Sequence, residues 1–311
     1  MNIGLIDVDW EFRKINPKNQ KGPEDIFRNL ALMKLSAWHK SNGDSVKWYE
    51  GEYDKPDRVY CSKVFTFTPD HQYPLEGIEV IKGGTGYDIK SNGEYKTSFC
   101  PIAFDYMCPD YSLYPNTSCS MGFLTRGCPN KCPWCFVWRK EGNIHPVADI
   151  EDFCRHKEVT LMDNNVLASE WGIHQIEKMA KMPIKIDFNQ GLDARLIDDS
   201  MARLLSKVKW SKPIRLACDT SSQMKYVHKA VELLRWYNAR PTAYSCYVLL
   251  KPGEIDDAIA RIKFLKGIGV DPFVQPYQPP EGREIPQGEG NLARYVDMKA
   301  VFKSVWWEDY K

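Results

Sequence analysis

Six short apolar runs of strand length punctuate the second half of the chain: Gly122–Thr125, Val159–Met162, Ile184–Phe188, Ile214–Ala217, Ala243–Leu250 and Pro272–Gln275. Apolar residues recur at helical spacing between and after them. Ile173, Ile176 and Met179 form one stripe, and Leu204, Leu205 and Val208 the next. Met224, Val227, Val231 and Leu234 follow, with Thr220, Ser221 or Ser222 offered as the cap. Ile255, Ile259, Ile262 and Leu265 make a fourth stripe, ended by Gly267 and Gly269. Leu292, Tyr295, Met298, Phe302 and Val305 make the last. Strands alternating with helices imply right-handed crossovers and a parallel sheet. Such sheets carry ligands at the carboxyl ends of their strands, and each of these runs is followed there by polar residues.

A smaller α/β layer precedes this series. Ile3–Val8 is a continuous apolar run of buried-strand type. Asn16–Pro23 must be loop, and Ile26, Leu30, Met33 and Ala37 then recur at helical spacing up to a stop at Asn42-Gly43. Val46–Tyr49, Val59–Val64 and Ile78–Ile81 read as strands, the last running into Gly83-Gly84. The predicted domains are residues 1–100 and 121–311, joined by a Pro-, Tyr- and Cys-rich linker at 101–120. The composition, 43% hydrophobic and 27% charged, is that of a globular chain. A net charge of +1 over 311 residues excludes a strongly polybasic or polyacidic protein. No run of 18 apolar residues offers a membrane span, and the first residues carry no basic leader, so the chain reads as cytoplasmic.

Ten cysteines in such a chain are unlike a disulfide framework, which belongs to secreted proteins. Three of them, Cys128, Cys132 and Cys135, crowd into Gly127-Cys128-Pro129-Asn130-Lys131-Cys132-Pro133-Trp134-Cys135, directly after the first strand of the series. Thiolates suit zinc and iron–sulfur clusters. A structural zinc and a cubane cluster each usually take four protein ligands. Three thiolates on one loop therefore point to an iron kept open for a small molecule, and the same spacing also serves part of a zinc site. Cys100, Cys108 and Cys119 are loosely spaced candidates for an auxiliary cluster, while Cys61, Cys218 and Cys246 lie in strands and read as core. The six histidines form no close pair of metal-ligand type.

The C-x3-C-x-aromatic-C loop at the end of a first strand resembles the radical S-adenosylmethionine (SAM) superfamily. The resemblance implies a partial (β/α)6 barrel over residues 121 to about 280. It implies a [4Fe–4S] cluster on Cys128, Cys132 and Cys135, with the fourth iron chelated by the amino and carboxylate groups of SAM. One electron from the cluster then cleaves the sulfonium to a 5′-deoxyadenosyl radical that abstracts hydrogen from a substrate. It places Trp134 beside the adenine. Where the superfamily often has Gly-Gly-Glu to grip the SAM amine, this chain has Asp163-Asn164-Asn165; Asp163, with Asn164, takes that role. After the third strand, Gln190 and Asp193 are placed to bond ribose hydroxyls and Arg195 to pair the methionine carboxylate; the alternative is a structured turn with a surface ion pair. Asp219 reads as a helix cap rather than a ligand, and Gly253-Glu254 as a turn or a backing for the adenine. A flavodoxin- or ferredoxin-type electron donor is implied by the same likeness.

The N-terminal layer resembles the Rossmann-like, cobalamin-binding class of that superfamily, with Gly83-Gly84 at a phosphate-facing turn. The Asp-x-His-x-x-Gly motif that ligates cobalt is missing; Asp7-Val8-Asp9-Trp10-Glu11 stands in its place. Two alternatives stay open beside a radical SAM enzyme without cobalamin: a cobalamin-dependent radical SAM methyltransferase, and a non-enzymatic zinc or iron–sulfur binding module. The substrate is not legible in the residues.

Overall fold

Residues Asn2–Asp7 form strand β1, buried at every position after the first. In this computed structural model the described residues are 1–15, 28–51, 53–75, 79–89, 104–114, 116–279 and 282–310. They divide into two compact units, the first made of Met1–Met121 with Glu151–Phe153 and Pro279–Gly282, the second of the rest. The architecture is α/β with parallel sheets.

In the first unit β1 pairs in parallel with β2 (Ser45–Trp48) and β3 (Arg58–Ser62), and β3 with β4 (Glu79–Gly83). The order is β2-β1-β3-β4. Helix α1 (Val8–Ile15) follows β1 without a break, and α3 (Thr85–Asp88) follows β4. Between β1 and β2, α2 (Leu30–Ser41) starts at Asn29, whose side chain accepts from Leu32 N, and stops at Asn42-Gly43, with Gly43 at φ +81°. Ile26 and the polar stretch before it lie outside the described residues, as do Ile78 and Cys100. Leu32, Met33 and Leu35 of α2 pack on Ile3, Leu5 and Tyr60. Leu113 and Tyr114 join that same cluster. The Tyr114 hydroxyl donates to Asp7 Oδ2 (2.5 Å) and accepts from Asn29 N (3.0 Å), and Trp48 Nε1 donates to Leu113 O (3.0 Å). Leu113 and Tyr114 of the predicted linker are thus core of the first unit.

Gly84, at φ +101°, has its Cα so close to Lys63 that a Cβ would sit 2.5 Å from the Lys63 carbonyl oxygen. Gly86 N donates to that oxygen (2.8 Å), and Lys63 N to Gly83 O (3.1 Å). The glycines serve a close approach between two loops of the chain itself.

Strand β5 (Cys119–Gly122) spans the division at Met121 and heads the order β5-β8-β9, with β8 at Glu158–Leu161 and β9 at Lys185–Phe188 in the second unit. A second sheet runs β10-β11-β12 (Ile214–Ala217, Tyr244–Leu250 and Asp271–Pro276), all parallel. Isolated parallel bridges Ile186–Trp210 and Leu192–Leu216 link the flank of β9 to the region of β10. Helices α6 (Glu170–Met179), α7 (Asp199–Leu205), α8 (Met224–Trp236) and α9 (Ile255–Gly267) fall between the strands as the stripes require. Cys246, Val248, Leu250 and Val274 alternate as buried residues along β11 and β12, with Tyr247 and Phe273 on the less buried face.

Two elements differ from expectation. The run Gly122–Thr125 is not one strand: β5 ends at Gly122, and Thr125–Arg126 (β6) pairs antiparallel with His145–Pro146 (β7). Short helix α4 (Val137–Lys140) lies in the connection between β6 and β7, and α5 (Ile150–Phe153) follows β7. The last stripe divides at Met298 (ψ 73°) into α10 (Gln287–Asp297) and α11 (Lys299–Ser304). The bend lets Tyr295 donate to Val305 O (2.8 Å) while its ring meets Phe302 at 5.5 Å. Among the described residues no helix is long and apolar enough to cross a membrane.

Candidate functional site

The loop between β6 and α4 carries the three cysteines, and its entry is fixed by Gly127. That residue sits at φ +79°, and a Cβ there would lie 2.3 Å from Asn143 O. Cys128 N donates to Gly142 O (3.2 Å), Cys135 N to Cys132 O (3.0 Å), and Trp138 Nε1 to Cys132 O (3.3 Å). Cys128, Cys132 and Cys135 are free thiols, each partly exposed. Burial pushes the Cys132 and Cys135 thiols up, and the neighbouring Cys128 sulfur adds to the effect at both.

The tripeptide after β8 grips the start of this loop, one residue at a time. Asp163, 4% exposed, accepts from Leu124 N (3.1 Å), Thr125 N (2.6 Å) and Thr125 Oγ1 (2.7 Å). Burial pushes its carboxyl up to about 6, against the pull of the Thr125 and Leu124 donors. Asn164 donates to Glu141 Oε2 (2.8 Å), which also accepts from Gly127 N (3.0 Å), while Glu141 Oε1 pairs with Arg126 (2.9 Å). Asn165 donates to Cys128 Sγ (3.8 Å) and to Asp193 Oδ2 (3.3 Å).

From the loop after β9, Asp193 reaches the same place. It accepts from Asn130 Nδ2 (3.3 Å), inside the cysteine loop, and from Arg195 Nε (2.8 Å) and Nη2 (2.6 Å). Burial would raise its carboxyl, but the Arg195 guanidinium holds it below the usual range. Arg195 in turn feels Cys132 and Cys128. On the other side, Lys251 Nζ stands 4.9 Å over the Trp134 ring and pairs with Glu254 (2.7 Å). Burial raises the Asp219 carboxyl, opposed by the Leu249 amide, Arg261, Lys251 and the Trp134 indole. Asp219 is not the helix cap: Thr220 and Gln223 form a capping box there, and Gln223 Oε1 accepts from Asp219 N (2.5 Å).

The structure therefore brings Cys128, Cys132, Cys135, Asp193 and Arg195 together, with Trp134 on the same loop. Asp163 stands one step behind, its oxygens turned to the backbone of Leu124 and Thr125. Gln190 is exposed on a turn whose Gly191 lies at φ +88° beside the Tyr247 ring. Asn130, Glu141, Asn165 and Lys251 were not singled out from sequence. Asn165 alone had a signal, as the last residue of the tripeptide at the strand end.

The donor set fits a cluster. Among the described residues no three His, Cys, Asp or Glu converge on a point that would hold a single metal ion. A cubane takes one thiolate at each of several separate iron corners, so it asks for three neighbouring thiols rather than a single focus. One buried polar atom beside them, Asn165 Oδ1, has no hydrogen-bond partner and is free to accept from an amine.

The other cysteines and the first unit contribute differently. Burial pushes the Cys61 thiol up to about 12 and that of Cys218 to about 11, as core thiols require, and Cys246 is fully buried. In the stretch Asp7–Glu11, Asp7 accepts from Tyr114 and from Trp10 N, Asp9 from Val64 N (2.6 Å) and Thr68 Oγ1 (2.6 Å), and Glu11 from His71 Nδ1 (2.8 Å). These carboxylates hold their own unit's loops.

No protein-family model matches the chain, and no curated protein matches it.

Proposed function

We propose that this chain is a radical SAM enzyme, its second unit a partial (β/α)6 barrel and its first a Rossmann-like domain. The observation that carries the reading is the thiol trio Cys128, Cys132 and Cys135 on one loop at the carboxyl ends of parallel strands, tied there by Asn164, Asn165 and Asp193. When bound, a [4Fe–4S] cluster on these thiolates supplies the electron that cleaves SAM to a 5′-deoxyadenosyl radical. The chain's own residues bind and orient. Asp163 fixes the backbone that leads into the loop, and Glu141 fixes Gly127. Asn165 Oδ1 offers the acceptor for the SAM ammonium that Asp163, its oxygens committed, does not. Arg195, spending two N–H groups on Asp193, stands beside the sulfurs as the cation for a carboxylate. Trp134, braced by Lys251, presents an aromatic face at the loop's end. A flavodoxin- or ferredoxin-type donor would deliver the electron.

Anaerobic reconstitution with iron and sulfide tests the proposal. The expected result is thiolate-to-iron charge-transfer absorption, four irons per chain in agreement with a cubane, and 5′-deoxyadenosine from SAM with dithionite. Alanine at any one of the three cysteines abolishes all three. Stoichiometric zinc without iron, or a fully loaded protein that yields no nucleoside, overturns it.

A further inference from the structure

Asn165 is held more tightly than a turn residue needs. It is 5% exposed, and both of its amide hydrogens have partners: Cys128 Sγ at 3.8 Å and Asp193 Oδ2 at 3.3 Å. The orientation of the amide is dictated by its surroundings. Arg195 and Asn130 fix Asp193 as an anionic acceptor. A flipped amide would turn Oδ1 toward that carboxylate and the sulfur, acceptor against acceptor. The NH2 group is therefore locked toward Cys128, in a buried place where such a bond is stronger than in water. Among the described residues this is the side-chain amide that donates to one of the three sulfurs.

We propose that Asn165 is a positioning residue that fixes Cys128 and raises the reduction potential of the iron centre held by the three thiolates. The inference rests on the cluster reading above. An N–H donor draws negative charge from a thiolate sulfur. The reduced centre carries one more negative charge than the oxidised one, so it gains more from the donor, and the potential rises. Asp193 acts at one remove, by choosing which end of the amide faces the sulfur.

The test compares the reconstituted wild-type chain with Asn165→Ala and Asn165→Asp by iron and sulfide analysis, EPR-monitored redox titration and resonance Raman spectroscopy. Both variants are expected to titrate at a lower potential than wild type. Asn165→Asp lies lower still, because it sets a carboxylate beside the sulfur. The iron–thiolate stretching bands shift as one ligand loses its donor. An unchanged potential in fully loaded variants overturns the proposal. Should either variant fold poorly or load little iron, Asn165→Ser, which retains a hydrogen-bond donor, restores loading with an intermediate potential; failure to restore overturns it as well. Failure of the cluster reading looks different: the wild-type chain takes up no iron, or Cys128→Ala retains it all.

Discussion

Single residues at this site were legible by chemical type and not by direction. Asp163 was recognisable as a carboxylate at a strand's carboxyl end, yet its oxygens face backwards. The reason is the strand break at Gly122: Leu124 and Thr125 leave amides without a ladder partner, and a buried amide must find an acceptor. Asp163 has a pH signature. Its folded carboxyl, near 6, lies above its unfolded value of 3.8, so the folded state binds a proton more readily. Its burial therefore disfavours folding at neutral pH, and stability rises as pH falls from about 6 to about 4, by on the order of 2 kcal/mol. Denaturant midpoints across that range check it, and in Asp163→Asn this rise should vanish. Gly127 opens the cysteine loop at a close approach to Asn143 O, which type alone did not reveal. Gly127→Ala meets both a left-handed φ and a 2.3 Å contact, so it should destabilise the chain by about 2 kcal/mol or more and lower iron uptake. Full uptake by a normally stable Gly127→Ala chain would contradict that.

At the scale of elements, strands and helices followed the apolar periodicity, because each buries one side of a strand or one stripe of a helix. Ile214–Ala217 came out as read, and Ile255–Leu265 lies in one helix. Breaks were invisible where their cause is remote in sequence. Met298 interrupts a perfect apolar stripe because Tyr295 and Lys266 reach carbonyls beyond it: Lys266 Nζ donates to Phe302 O (2.6 Å). Arg261 is the sharper case. Fully buried in a helix read only by its apolar stripe, it donates to Cys218 O (2.7 Å) and to Leu249 O (3.1 Å), and pairs with Asp257 (2.7 Å). It fastens the carboxyl ends of β10 and β11, where Asp219 and Lys251 stand. Arg261→Met removes the charge and strands those buried carbonyls, so a loss of about 3 kcal/mol is expected in chemical denaturation. A variant as stable as wild type would show that water replaces the guanidinium.

For the molecule as a whole, the wiring predicts where a bound centre would be felt. The cysteine loop is tied to three distant stretches of the second unit: Glu141–Asn143, Asp163–Asn165 and Asp193–Arg195. None of these ties could be read from order along the chain, since they span up to 63 positions. Anything that binds the folded loop and not the unfolded chain stabilises every segment whose local opening releases that loop. Hydrogen exchange should therefore slow, on iron–sulfur reconstitution, at residues 124–136, 141–143, 163–165 and 193–195 together. Protection confined to 128–135 would mean that the side-chain ties are absent in solution and that the loop binds as an isolated hairpin. Acid gives a complementary reading in the first unit. Asp70, an exposed carboxylate bonded by Lys82 (2.7 Å) and Tyr87, is drawn down to about 2 against a partial desolvation that would raise it. Its folded carboxyl lies below the unfolded one, so what it contributes is present above pH 4 and is lost as pH falls toward 2. Asp163 has by then taken its proton and stopped opposing the fold of the second unit. Exchange measured from pH 6 down to pH 3, corrected for intrinsic rates, should show protection around Thr125 rising first and protection around β4 failing afterwards. Asp70→Asn should abolish the late loss and leave the early gain, and a single common pH profile for both regions would refute this division of roles.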